Sequence, residues 1–172
     1  MQIVYYVAAS LDGYIADRDG GVAWLNSFDG DGDDMGFTDF YGDIEGIVMG
    51  RKTYEFALAH PPWLAPGKPT WVMTSRVLPL ADPQVTLTAA PVAELMRQMT
   101  DAGLKRVWMM GGGQAASAFL AAGCIHELWL HVIPLCLGSG IPLFTEVQKE
   151  VRMTLRDHHC YANGIAQLRY DL

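Results

Sequence analysis

Val107-Trp108-Met109-Met110-Gly111-Gly112-Gly113-Gln114 decides how this chain folds. The apolar run reads as a buried strand, and the small residues at 115–122 read as a helix that starts where the glycines end. Strand, glycine turn and helix in that order form one unit of an α/β sheet. The glycines remove side chains that would hold a ligand off the backbone, and a helix start presents unpaired N–H groups. Such a turn suits a phosphate or pyrophosphate. It suits equally a tight strand-to-helix connection, so the rest of the chain has to decide.

Working outward, residues 3–9 are apolar on both faces, as in a central strand, and a polar, Asp- and Gly-rich stretch follows at 17–36. A stretch of that length is often a binding loop, and Trp24 gives it an apolar anchor. Phe37, Phe40, Tyr41 and Ile44 recur at helical spacing. Further strands are predicted at 46–49, 69–74, 85–87, 106–110 and 125–135, with helices at 53–59, 91–102 and from 115. Strands at 151–161 and 165–172 flank Ala162-Asn163-Gly164, a hairpin turn signal. The expected architecture is α/β: three layers, with helices on both faces of a mixed, mostly parallel sheet and a C-terminal antiparallel hairpin. The whole of 1–172 is read as one domain.

Composition narrows the partners. Of 172 residues, 51% are hydrophobic and 18% charged, which places the chain far from disorder. A formal charge of −7 argues against a nucleic-acid surface. No apolar segment approaches the roughly 18 residues that span a bilayer, and the start reads directly into a strand, so a cytoplasmic protein with no membrane partner is expected. Cys124, Cys136 and Cys160 are too scattered for a disulfide framework, and alternation on a strand parts His159 from His158 and Cys160, so no metal site is expected.

Three strand ends carry groups suited to an anion. Gly50-Arg51-Lys52-Thr53 offers two cations and a capping hydroxyl at a helix start. Thr74-Ser75-Arg76 offers hydroxyls and a guanidinium, and Gly111-Gly112-Gly113-Gln114-Ala115 is the third. Open α/β sheets bind ligands outside the carboxyl ends of their strands, where all three fall.

Ser-Leu-Asp-Gly at 10–13, Met-Gly-Arg-Lys-Thr-Tyr-Glu at 49–55, Thr-Ser-Arg at 74–76 and Gly-Gly-Gly-Gln at 111–114 occur in the order of the dihydrofolate-reductase-like superfamily. The chain most resembles the branch holding the reductase domain of riboflavin-biosynthesis proteins. Ile133-Pro134-Leu135 and Leu137-Gly138-Ser139-Gly140 support that branch. The resemblance implies a sheet of about eight strands, and NADPH as cofactor. Arg51, Lys52 and Thr53 match phosphate contacts, and Ser75 and Arg76 match the region of the adenosine 2′-phosphate. Gly111 to Gln114 match the pyrophosphate loop, with a cis peptide between Gly111 and Gly112. Ala8 and Ile15 fall where relatives border the nicotinamide. It also implies a homodimer, for which the strand at 125–135 and the hairpin would supply apolar surface.

Two positions depart from the pattern. The acid of dihydrofolate reductases maps near 34–36, so Asp34 and Asp39 are the candidate catalytic carboxylates. Met110 stands where riboflavin-pathway reductases have an acidic residue. The leading reading is an NADPH-dependent reductase acting on a small heterocyclic or ribosylamino-pyrimidine substrate. A dihydrofolate reductase and a non-catalytic nucleotide-binding module are the alternatives. A phosphoryl-group enzyme is weaker, because the glycine turn lacks the Lys-Ser/Thr ending of a P-loop.

Overall fold

A computed structural model describes residues 1–28 and 34–172, and in it the glycines end strand β6 (Arg106–Gly111). Helix α4 (Gly113–Ala121) begins two residues later. Around this unit lie β1 (Gln2–Ser10), β3 (Gly46–Gly50), β4 (Thr70–Met73), β5 (Val85–Thr88) and β7 (Glu127–Ile133). With β6 they pair in parallel in the order β5-β4-β3-β6-β1-β7. Strand β10 (Ala166–Asp171) adds antiparallel to β7, and β9 (Thr154–Cys160) adds antiparallel to β10. The expected eight-stranded mixed sheet and its C-terminal hairpin are both present.

Central strands buried on both faces need apolar residues at every position, and β1 and β6 supply them. Val107, Met109 and Tyr5 face α4 and α3 (Val92–Asp101) through Phe119, Leu95 and Met99. Val4, Met49 and Trp108 face α1 (Phe37–Asp43) and α2 (Arg51–Ala59) through Phe40 and Tyr54. Two apolar layers, one on each side of the sheet, give the three-layer build.

Three differences from the sequence reading bear on the site. Helix α2 starts at Arg51, because the extended Gly50 already serves as its N-cap and puts both cations in the first turn. Strand β7 stops at Ile133, since Pro134 has no N–H to continue the ladder. A small second sheet, β2 (Tyr14–Ala16) with β8 (Ile141–Pro142), was not anticipated; elements of three and two residues carry no periodicity.

That second sheet is fixed by Asp12. Its carboxylate accepts the Ser10 hydroxyl (2.6 Å) and the amides of Leu137 (3.0 Å) and Gly138 (2.7 Å). The Ser10 hydrogen bond, with these amides, holds the Asp12 carboxyl below its usual range. Asp12 thus joins the end of β1 to the segment after β7. Among the described residues no helix is long and apolar enough to cross a membrane. No group of three His, Cys, Asp or Glu side chains among them could hold a metal ion.

Candidate functional site

The chain leaves β3 through α2 toward β4, but leaves β6 through α4 toward β7 on the far side of β1. The two connections run on opposite faces, since Tyr54 and Phe119 belong to different cores. A crevice therefore opens between β3 and β6, the place where such sheets bind ligands. Both helices begin there, and neither has a side-chain cap, so their first N–H groups remain available to an anion.

The crevice walls need glycine. A Cβ on Gly113 would lie 2.3 Å from the Pro142 carbonyl oxygen, closer than atoms can approach. A Cβ on Gly112 would lie 3.4 Å from Thr53 Oγ1 and 3.9 Å from Ile15 Cδ1, so these three positions converge. Gly50 meets Ala115 in the same way, at 3.4 Å. The Gly111-Gly112 peptide is cis, as the resemblance implies.

Around this center the other candidates are unevenly placed. Lys52, Ser75, Arg76 and Gln114 are exposed. Thr74 follows β4, whose last residue Met73 pairs with Gly50, and its hydroxyl accepts the Arg76 amide at 3.0 Å. Arg51 is engaged: its Nη1 donates to both carboxylate oxygens of Glu55, at 2.8 and 2.6 Å. A backbone cradle at two helix starts, with Arg51 and Lys52 in the first turn of one of them, could hold an anionic group such as a phosphate. A cavity of about 390 Å³ along α4 shares only Gln114 with the crevice.

A second cavity, of about 200 Å³, lies on the α1 side of β1. Tyr6 and Ala8 of β1, His131 and Ile133 of β7, and Ile165 form its floor. Leu25 and Phe28, from the 3₁₀ turn Ala23–Phe28 in the Trp24 loop, lie across it, with Asp34, Met35 and Phe37 at one side. Asn163 Nδ2 holds that turn through the Phe28 carbonyl at 2.8 Å. Tyr6 stacks on Phe40, with ring centroids 4.3 Å apart, which keeps this wall aromatic.

The two candidate carboxylates separate here. Asp34 borders the cavity, while Asp39 sits on the exposed side of α1 and outside it. Asp34 also opens α1: its Oδ1 accepts the Gly36 amide (3.0 Å) and its Oδ2 the Thr38 amide (2.9 Å). The Thr38 hydroxyl, then these amides, hold its carboxyl below the usual range, so it is ionised at neutral pH.

His131 was missed by the sequence reading. Arg169 Nε donates to Gln167 Oε1 (2.9 Å), which turns the Gln167 amide nitrogen onto His131 Nε2 at 2.7 Å. With Nε2 accepting, the imidazole carries its proton on Nδ1 and is neutral. Burial, with the nearby Arg169 charge, pushes its pKa down to about 4. The available signal was a polar residue at 131 and another at 167 inside the strands predicted at 125–135 and 165–172.

The sheet order, with helices on both faces, defines a three-layer α/β fold. Residues 59–167 match the family model of the RibD C-terminal domain, and the chain belongs to that family. It is 33% identical over 97% of its length to the uncharacterized protein YwjB of Bacillus subtilis strain 168, covering 95% of that protein. A protein of Shewanella sp. PV-4, provisionally named for riboflavin biosynthesis, superposes with a TM-score of 0.89. It is 28% identical, over 99% of this chain and 98% of its own. A Thermotoga maritima diaminohydroxyphosphoribosylaminopyrimidine deaminase/5-amino-6-(5-phosphoribosylamino)uracil reductase shares the fold at TM-score 0.74 and 15% identity. The chain aligns over 99% of its own length with 56% of that bifunctional enzyme.

Proposed function

We propose that the protein is an NADPH-dependent reductase of a small heterocyclic or ribosylamino-pyrimidine substrate. One observation carries the reading: the cavity reaches Ala8 on β1, the strand next to the β6 glycines, so crevice and cavity adjoin. When bound, NADPH supplies a hydride, and reduction of a C=N or C=O bond also consumes one proton. The crevice backbone and the cations at 51, 52 and 76 hold the phosphates. Ile15 and Ala8 border the junction, and Leu25 and Phe28 keep water from it. With Asp34 ionised and the His131 Nε2 engaged, the proton comes from water. The cytoplasm is the compartment this reading implies.

Fluorescence titration with NADPH and NADH tests the cofactor. NADPH is expected to bind more tightly, and Arg76→Ala to weaken it about tenfold while NADH changes little. Equal binding of both cofactors to the unaltered protein would remove the assignment. Cofactor oxidation with 5-amino-6-(5-phosphoribosylamino)uracil, with dihydrofolate and with dephosphorylated pyrimidines then separates an enzyme from a binding module.

A further inference from the structure

We propose that the cavity beside β1 takes a flat, unphosphorylated heterocycle carrying N–H donors, and that a phosphoribosyl group is excluded from it. The proposal rests on the reductase reading and narrows its substrate.

Size is the first argument. Pockets that bury drug-sized ligands hold about 300–1,000 Å³, and this one holds about 200 Å³. Its walls include Tyr6, Phe28 and Phe37, which offer faces and edges to a planar ring. That space fits a one- or two-ring compound better than a pyrimidine with a sugar phosphate attached.

Charge is the second. No Lys or Arg lines the cavity among the described residues. Residues 29–33, which lie outside the described residues, read Asp-Gly-Asp-Gly-Asp and bring no cation in any arrangement. The neighbouring Arg169 is committed elsewhere: to Gln167 at 2.9 Å, to Asp157 at 3.8 Å and over the Trp129 ring at 3.9 Å. His131 is neutral and its Nε2 is already taken. A phosphate here would lose its water, find no lysine or arginine in the described lining and face the Asp34 carboxylate.

The same carboxylate favours the opposite kind of ligand. A carboxylate has about four lone-pair directions, and Asp34 uses three, on the Gly36 amide, the Thr38 amide and the Thr38 hydroxyl. The direction left over suits an amino or ring N–H.

Calorimetric titration of the intact protein without cofactor tests this with three probes. They are 5-amino-6-(5-phosphoribosylamino)uracil, the same compound without its phosphate, and 2-aminopurine. The two unphosphorylated probes are expected to bind at least about tenfold more tightly than the phosphorylated one. Leu25→Trp, which fills the cavity from the covering turn, is expected to weaken both by about fivefold or more. Equal or tighter binding of the phosphorylated compound overturns the proposal. So does failure of all three probes to bind, or indifference of 2-aminopurine to Leu25→Trp. If NADPH fails to bind while the ring probes behave as expected, the cofactor reading falls and the cavity assignment stands.

Discussion

The crevice between β3 and β6 and the cavity beside β1 are neighbours on one sheet, yet they are built from different materials. The crevice is made of backbone: two uncapped helix starts and a glycine, Gly113, with no room for a Cβ. The cavity is made of side chains from separate segments, meeting over β1, β7 and β10. A backbone site recognises what every dinucleotide shares, its phosphates. A side-chain site can be re-cut for another ring without disturbing the sheet. Perturbations should therefore act differently in the two places.

The largest effect is expected in the cavity, from acid. His131 is only 4% exposed, and its pKa of about 4 lies below the ordinary 6.5. Between those values the unfolded chain binds the proton that the folded chain refuses, so stability falls as pH falls through this window. The full loss by the acid end is about 3 kcal/mol from this one group. Denaturant unfolding from pH 7 to pH 4 measures it, and His131→Gln should flatten that part of the slope. An unchanged slope in the variant would mean that His131 titrates normally.

The crevice comes next. Gly113→Ala forces a methyl against the Pro142 carbonyl, a backbone atom that cannot rotate away. The expected cost is about 1–3 kcal/mol in thermal unfolding, with NADPH binding weakened as α4 shifts. Gly42→Ala, where a Cβ meets open space inside α1, should raise stability slightly instead. Similar losses at both positions would show that the tight approach at Gly113 has no special weight.

This contrast also explains what could be read in advance. The glycine run, the cations at 51 and 52 and the Thr-Ser-Arg turn are each contiguous in sequence, so their strand-end placement was legible. The order of the large elements followed from apolar runs, helical spacing and the turn signals between them. The cavity offered no such run. Tyr6, Ala8, Ile133 and Ile165 look like any core residues, because apolar lining and apolar packing use the same side chains. His131 becomes informative only when β10 brings Gln167 opposite it, a pairing that the sequence does not record.

The two acids sharpen the comparison at lower amplitude. Asp34→Ala removes the acceptor for two amides at the start of α1, so the melting temperature should fall, by less than for Gly113→Ala. It also removes the cavity's negative charge and should improve binding of anionic probes. Asp39→Ala should stay within about 0.5 kcal/mol and leave turnover nearly unchanged, because the side chain is exposed and away from the cavity. A large loss of turnover from Asp39→Ala alone would place the chemistry outside the cavity.

The smallest effect belongs to the crevice rim, and its sign is the useful part. Arg51 stands in the first turn of α2, where the helix dipole disfavours a cation, and Glu55 one turn later offsets this through Arg51 Nη1. Both side chains are about a third exposed, at 29% and 37%, so the pair is worth only about 0.3–0.5 kcal/mol. Glu55→Gln should therefore lower stability by about that amount. A cofactor phosphate at this rim competes with Glu55 for the same guanidinium, so releasing Arg51 should tighten NADPH binding by about twofold. Paired unfolding and titration experiments on the one variant measure both quantities. Opposite signs identify Arg51 as a phosphate ligand held in reserve by Glu55. Weaker binding together with lower stability would make the pair a brace for α2 and nothing more.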